Sequence, residues 1–212
     1  MQELRRRKNQ KLVVSDRQEE ILIGSLLGDA HITSRGQIQF EQSDKQKGYL
    51  FWKQKELFSI SYKNISIVKR FDKRFQREYI SYRFWTRQYF QIWRQRFYVN
   101  SKKIVPRDIQ LTPITLAIWY MDDGCLSDHK CIISTDNFSL EDIRFLQYLL
   151  EETFGIQSTL KNKSKIMIRK ESFEIFFSLI SPYIISSMHY KIFDPVTTSR
   201  DFKKPRDTVS AV

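Results

Sequence analysis

Along the first hundred residues, segments whose hydrophobic residues have the spacing of a helix alternate with segments that have the spacing of a strand. After a capping signal at Ser15-Asp16, apolar positions such as Ile21, Leu22 and Leu26 predict a helix that runs to about Asp29. The pattern then predicts strands at 31–34 and 37–42, a helix at 45–60, strands at 65–71 and 78–87, and a helix at 89–99. This order is α-β-β-α-β-β-α.

The second half of the chain predicts the same order again. Thr112-Pro113 is typical of a helix start, and this helix runs to Asp123. Further elements are predicted as a strand within 130–136, a helix from Ser139 to about Thr153, strands at 157–161 and 166–170, and a helix at 173–181. The ends of the two first helices, Asp29 and Asp123, are 94 residues apart. We therefore predict an α+β fold of two pseudo-symmetric halves.

The composition indicates a folded domain with a polyanionic partner. Of the 212 residues, 41% are hydrophobic and 14% are aromatic, which is enough for a core and excludes a disordered chain. The formal net charge of +12 favours nucleic acid over a membrane surface as the partner. No apolar run approaches the roughly 18 to 20 residues of a membrane-spanning helix, so we expect no membrane partner.

The termini and cysteines predict where the protein works. The basic cluster at residues 5–8 has no apolar stretch beside it, so we expect a basic N-terminal arm and no secretory signal. Cys125 and Cys131 are expected to be reduced thiols in an intracellular protein. A composition poor in Ala and rich in Ile, Lys, Phe and Tyr is typical of AT-rich genomes. Such genomes include those of organelles and of some phages and bacteria, and we expect a chloroplast or mitochondrial protein before a bacterial or phage one.

The two first helices end in similar sequences, LIGSLLGDA at 22–30 and LAIWYMDDG at 116–124. Gly24, Gly28 and Ala117 are small residues that let two helix backbones approach closely. If the helices pack side by side in parallel, Asp29 and Asp123 lie at the same end. A helix C-terminus and a neighbouring carboxylate both repel an aspartate, so this placement predicts a bound divalent cation, Mg²⁺ above all. The alternative for each aspartate is a polar helix-end residue in water.

These paired sequences resemble the motifs of the LAGLIDADG homing endonucleases in their two-motif, single-chain form. Leu111-Thr112-Pro113, before the second motif, is similar to the subgroup that includes the yeast mitochondrial intron endonuclease. Lys102-Lys103 with Pro106, and Tyr190-Lys191 with Pro195, add to a resemblance that covers about residues 16 to 195.

The resemblance implies a fold of two αββαββα halves whose sheets form a saddle over double-stranded DNA. It implies that Asp29 and Asp123 bind two or more divalent ions, with Asp122 secondary. It also implies that Lys103 and Lys191 are active-site lysines and that Gln39 organises solvent. The expected segments are a basic arm at 1–15, a first half at 16–100, a linker at 101–111, a second half at 112–195 and a tail at 196–212.

One face of each sheet is expected to read DNA, because strand alternation exposes every second side chain. Arg and Gln suit the edges of guanine and adenine in a major groove. The candidates are Gln37, Gln39, Glu41, Ser81, Arg83, Trp85, Arg87, Lys161, Lys163, Arg169 and Lys170. For each of them, an ordinary exposed polar residue is the alternative.

Three functions fit these features. The first is a site-specific, Mg²⁺-dependent endonuclease that cuts both strands of a long asymmetric DNA target as a monomer. The second is a maturase, an RNA-binding splicing factor on the same fold with intron RNA as its partner. The third is a DNA-binding protein that has lost catalysis. The presence of Asp29, Asp123, Lys103 and Lys191 favours the nuclease, since a splicing role requires none of them.

Overall fold

A computed structural model describes residues 12–192 of the chain. Its helices are α1 (Asp16–Leu27), α2 (Lys47–Glu56), α3 (Gln91–Phe97), α4 (Pro113–Asp123), α5 (Leu140–Phe154) and α6 (Phe173–Ile180). Its strands are β1 (His31–Ile32), β2 (Ile38–Ser43), β3 (Ser66–Asp72), β4 (Arg77–Trp85), β5 (Tyr98–Val99), β6 (Lys102–Lys103), β7 (Gly124–Ser127), β8 (Lys130–Ser134), β9 (Ser158–Lys161) and β10 (Lys165–Ile168).

The strands form two antiparallel four-stranded sheets with the same topology. The strand order is β1-β2-β4-β3 in the first half and β7-β8-β10-β9 in the second. The side chains on one face of each sheet are buried in the core. Examples are Phe40 and Phe84 in the first sheet and Ile133 and Ile166 in the second. The opposite face stays open. The predicted α+β fold of two pseudo-symmetric halves is confirmed.

Helices α1 and α4 pack against each other at the centre of the molecule, and the two glycines of α1 lie in that contact. A Cβ on Gly24 would lie 2.6 Å from the carbonyl oxygen of Thr115 and 2.7 Å from Cβ of Ile118. A Cβ on Gly28 would lie 2.5 Å from Cβ of Asp122. Only glycine fits at these distances, so the closeness of the helices depends on both residues. Ala117 is fully buried, but the atoms of α4 nearest to the two glycines belong to Thr115, Ile118 and Asp122.

Helix α1 is shorter than the sequence pattern predicts. It ends at Leu27, Gly28 is its C-cap, and Asp29 follows the helix. The predicted helix at 45–60 is divided, with α2 flanked by short 3₁₀ helices at Asp44–Gln46 and Phe58–Ile60. Both differences come from local hydrogen bonding at helix ends, which hydrophobic spacing does not encode.

Two short strand pairs escape the sequence pattern. Strand β7 follows α4 directly and pairs with β8, although only the second of these strands was predicted. Strands β5 and β6 form a small hairpin where a helix end and a linker were predicted, because Asn100 and Ser101 take positive φ values of 49° and 62° and turn the chain. Such strands of two to four residues are too short to show alternation.

The basic cluster at 5–8, the matched Pro195 and the tail at 196–212 lie outside the described residues. Within residues 12–192, no helix is long and apolar enough to cross a membrane.

Candidate active site

Asp29 and Asp123 stand at the C-terminal ends of the packed helices α1 and α4. Asp29 is exposed, whereas Asp123 is half-buried. Burial, together with repulsion from Asp29 and Asp122, raises the pKa of Asp123 to about 7, against the opposing effects of Lys103 and Lys191. The carboxylates of the two motifs are therefore close enough to repel each other.

Lys103 and Lys191 occupy matching positions at these two helix ends. The Nζ atom of Lys103 donates hydrogen bonds to the carbonyl oxygens of Gly28 at 2.8 Å and Ala30 at 2.9 Å. The Nζ atom of Lys191 donates to the carbonyl oxygens of Met121 and Asp122, the second at 3.0 Å. Each ammonium thus satisfies carbonyl groups that a helix end leaves unpaired and lies in the negative field of the helix dipole.

Burial lowers the pKa of both lysines. For Lys103 it lowers the pKa to about 8, against the opposing effects of Asp123, Asp122 and Asp29. Burial likewise lowers the pKa of Lys191, and the same carboxylates oppose it. Both lysines therefore lie within electrostatic reach of the two motif aspartates, one in each half.

Asp122 has a separate, fully buried setting. Its Oδ1 and Oδ2 atoms accept hydrogen bonds from Nζ of Lys53 on α2, at 2.7 and 2.9 Å. That Nζ also lies 4.3 Å from the ring centroid of Tyr49. Full burial raises the pKa of Asp122, and the Lys53 ammonium opposes the rise. Asp122 therefore joins the second motif to the first half of the chain, a role that its sequence position does not reveal.

The amide that reaches Asp29 is that of Gln42, whereas Gln39, the residue expected to organise solvent, does not contact Asp29. Nε2 of Gln42 donates to Oδ2 of Asp29 at 3.0 Å and to Oδ1 of Asp122 at 3.4 Å. Gln39 lies on the open face of the same strand, where its Oε1 accepts from Nε1 of Trp85 at 3.2 Å. The two glutamines have opposite parity on β2, so strand alternation separates them. The buried parity of Gln42 gives no sign in the sequence that its amide contacts Asp29.

The open face of the first sheet carries a charged cluster around Glu41. Cross-strand register pairs Glu41 with Arg83 and Gln39 with Trp85, as the predicted alternation requires. Glu41 accepts hydrogen bonds from Nε of Arg83 at 2.8 Å, from Oγ of Ser81 at 2.6 Å, and from Arg70. Burial raises the pKa of Glu41, but these hydrogen bonds outweigh it and hold the pKa at about 2. The cluster fixes the directions of two arginines on the open face.

The remaining candidates for DNA contact lie at different places on the two sheets. Lys161 pairs with Lys165 across β9 and β10, and Lys163 lies in the turn between them with a φ of 62°. Lys165 was missed, although alternation from Lys161 and Lys163 could have indicated it. The others lie just outside strands: Arg169 and Lys170 follow β10, Arg87 follows β4 and Gln37 precedes β2.

The described residues offer carboxylates but no dense metal cage. Within residues 12–192 no three His, Cys, Asp or Glu side chains lie together as a metal site. Asp29 and Asp123 nevertheless fit a hard cation, because Mg²⁺ is commonly held by one or two carboxylates, with waters and substrate phosphates as its other ligands.

Comparison with known proteins identifies the family of this chain. The LAGLIDADG DNA endonuclease family matches residues 19–176. The cytochrome b mRNA maturase bI2 of Saccharomyces cerevisiae is 33% identical over 81% of this chain and 46% of its own length. The chain therefore spans about half of that relative. A probable intron-encoded endonuclease of Wickerhamomyces canadensis is 29% identical over 87% of each chain.

A solved structure has the same architecture. The homing endonuclease I-WcaI, bound to its DNA recognition sequence, matches with a TM-score of 0.81 and 27% identity, over 90% of this chain and 92% of its own. The two motifs, the repeated topology and the matched relatives lead to one conclusion: this chain belongs to the LAGLIDADG DNA endonuclease family.

Proposed function

We propose that the protein is a site-specific endonuclease that hydrolyses both strands of a DNA duplex with the help of divalent cations, Mg²⁺ in the first place. The observation that carries the proposal is the pair of carboxylates, Asp29 and Asp123, at the ends of two packed helices. Each helix end also holds a half-buried lysine, Lys103 or Lys191. Such a pair of half-sites suits two phosphodiester bonds on opposite strands.

The chemistry divides between the protein and its cations. A divalent ion, when bound, lowers the pKa of water and stabilises charge on the phosphoryl and leaving oxygens. Asp29 and Asp123 would hold such ions, and the repulsion that raises the pKa of Asp123 is relieved by positive charge between them. Lys103 and Lys191 would stabilise negative charge that develops on the scissile phosphates.

The open faces of the two sheets are the proposed DNA interface. Arg70 and Arg83 on the first, and Lys161 and Lys165 on the second, supply cations for phosphates and base edges. The structure of I-WcaI with its DNA supports duplex DNA as the partner. The net charge of +12 supports it as well.

Cleavage of the host gene tests the proposal. Purified protein is mixed with a plasmid that carries the intronless sequence of its host gene, with Mg²⁺ or with EDTA. Linear product that requires Mg²⁺ and disappears in Asp29→Asn and Asp123→Asn supports the nuclease. Tight DNA binding without any product contradicts it and favours a protein that only binds DNA.

The second candidate function is that of a maturase. It is favoured by the two relatives named cytochrome b mRNA maturase bI2, which are 33% and 31% identical to this chain. Splicing of the host intron transcript with and without the protein tests it. If the Asp29→Asn variant makes the transcript splice faster than it does without protein, the maturase role is independent of DNA cleavage.

The names of the relatives also support an intron as the location of the gene, since two of them are called intron-encoded endonucleases. A chloroplast or mitochondrial location and a monomeric state remain predictions. Sedimentation in the presence and absence of duplex DNA measures the second.

A further inference from the structure

The two motif aspartates differ in how their carboxylates are held. Asp29 accepts a 3.0 Å hydrogen bond from Nε2 of Gln42. In the described part of the chain, no side-chain or backbone group donates to the carboxylate of Asp123. One carboxylate is therefore oriented by the protein before substrate binds, and the other is not.

Gln42 is itself held by a buried ion pair. The same Nε2 lies 3.4 Å from Oδ1 of Asp122, and Lys53 binds both oxygens of that carboxylate. The side chains of Lys53 and Asp122 are 2% and 0% exposed. A chain of contacts thus runs from Lys53 on α2 through Asp122 of the second motif and Gln42 on β2 to Asp29.

Up to residue 192, where the described part of the second half ends, there is no counterpart of this chain of contacts. His31 and Cys125 each lie two residues after a motif aspartate, and they pair with Gln39 and Ile132 on the next strand. Gln42 and Thr135 each lie three residues after these partners, so Gln42 corresponds to Thr135. The hydroxyl of Thr135 donates instead to the carbonyl oxygen of Ser164 at 2.6 Å.

The ion pair is missing from the second half as well. Asp122 corresponds to Gly28, since each directly precedes a motif aspartate. The buried residues 49, 50 and 53 of α2 have the spacing of 142, 143 and 146 in α5, so Lys53 corresponds to Leu146. The fold repeats, but the polar chain of contacts does not.

We infer that Lys53, acting through Asp122 and Gln42, is a positioning residue for the carboxylate of Asp29, so that cleavage of one DNA strand depends on it far more than cleavage of the other. The inference rests on the proposed nuclease function. Its physical basis is that a displacement of about 1 Å in a catalytic group can lower the rate about a hundredfold. A buried polar network whose hydrogen bonds are all satisfied is rigid, so the Lys53–Asp122 ion pair holds the side chain of Gln42 in one arrangement.

The variants must separate positioning from folding. Lys53→Met leaves Asp122 buried and uncompensated and is expected to destabilise the fold. The double variant Lys53→Met/Asp122→Asn removes both charges with little change in volume, and it should recover the melting temperature. Gln42→Ala removes the link to Asp29 directly. Leu146→Met changes the corresponding position of the second half and serves as the matched control.

The assay follows each strand separately. A duplex that carries the cleavage site, with a different fluorophore on each 5′ end, is cut under single-turnover conditions with Mg²⁺ and resolved on a denaturing gel. In Gln42→Ala we expect one strand to be cut at least about tenfold more slowly, with the other strand within about twofold of wild type, and the double variant should slow that same strand more than the other. Leu146→Met should cut both strands at the wild-type rates.

Three results overturn the inference while leaving the nuclease intact. They are equal slowing of both strands in the folded double variant, wild-type cleavage of both strands in that variant, and slowing of different strands by Gln42→Ala and by the double variant. Failure of the wild-type protein to cut at all refutes the proposed function, and the inference with it.

Discussion

In the metal-free protein, the carboxyl group of Asp123 is expected to oppose folding whenever it is ionised. Burial, and then repulsion from Asp29 and Asp122, raises its pKa from 3.8 to about 7. Between these two values the folded protein holds a proton that the unfolded chain has released. The free energy of unfolding therefore falls as the pH rises through this window, and the loss is complete above the folded pKa.

Asp123→Asn removes this loss. A pKa difference of about 3 units, at about 1.4 kcal/mol per unit, sets an upper limit of about 4 kcal/mol at pH 8. The neutral amide is also desolvated at this site, so we expect the variant to gain about 1–3 kcal/mol in unfolding free energy. The gain should shrink as the pH is lowered and vanish near about pH 4, where the folded carboxyl group is protonated.

Urea denaturation in EDTA at several pH values between 4 and 8 measures the effect. Asp29→Asn is the matched control, because it removes the corresponding charge of the first motif and relieves only the repulsion, not the burial, of Asp123. Its gain at high pH should be smaller. If Asp123→Asn has the same stability as wild type at pH 8, or a gain that does not change with pH, the carboxyl group does not carry this cost.

Three further measurements test the structure and the proposed function. Gly24→Ala forces a Cβ to within 2.6 Å of a backbone oxygen, so the free energy of unfolding should fall by about 1–3 kcal/mol. In Gly48→Ala the new Cβ meets nothing closer than 3.4 Å, so the free energy of unfolding should rise by about 0.5–1 kcal/mol. Equal effects of the two substitutions would contradict the close helix contact. Asp29→Asn and Asp123→Asn should each lower the cleavage rate by several orders of magnitude and keep DNA affinity, so wild-type cleavage by either variant would remove that residue from the metal site. The logarithm of DNA affinity should fall with the logarithm of salt concentration, with a slope of about −0.9 per phosphate contacted, and a slope near zero would contradict the open sheet faces as the interface.

The sequence determined the architecture because both halves carry strong local signals. Helix caps at Ser15, Thr112 and Ser139 and the alternation along 78–87 encode elements whose burial follows from their own periodicity. The repeated motif ending in Asp29 and Asp123 was equally local, since each is a contiguous run of about nine residues. Such features can be recognised without knowing which residues meet in space.

The tertiary structure decided which polar side chains act together. Asp122 lies 80 positions after Gln42 and 69 positions after Lys53 in the sequence, and no periodicity links the three residues. Each has an ordinary polar residue's sequence context, and only the approach of α1 to α4 brings them to Asp29. The contact of Gln42 with Asp29 escapes prediction for the same reason: strand parity indicates which side chains are exposed, but it does not indicate what covers the buried ones. The sequence therefore specifies two equivalent motifs, and the packing between the halves makes their surroundings unequal.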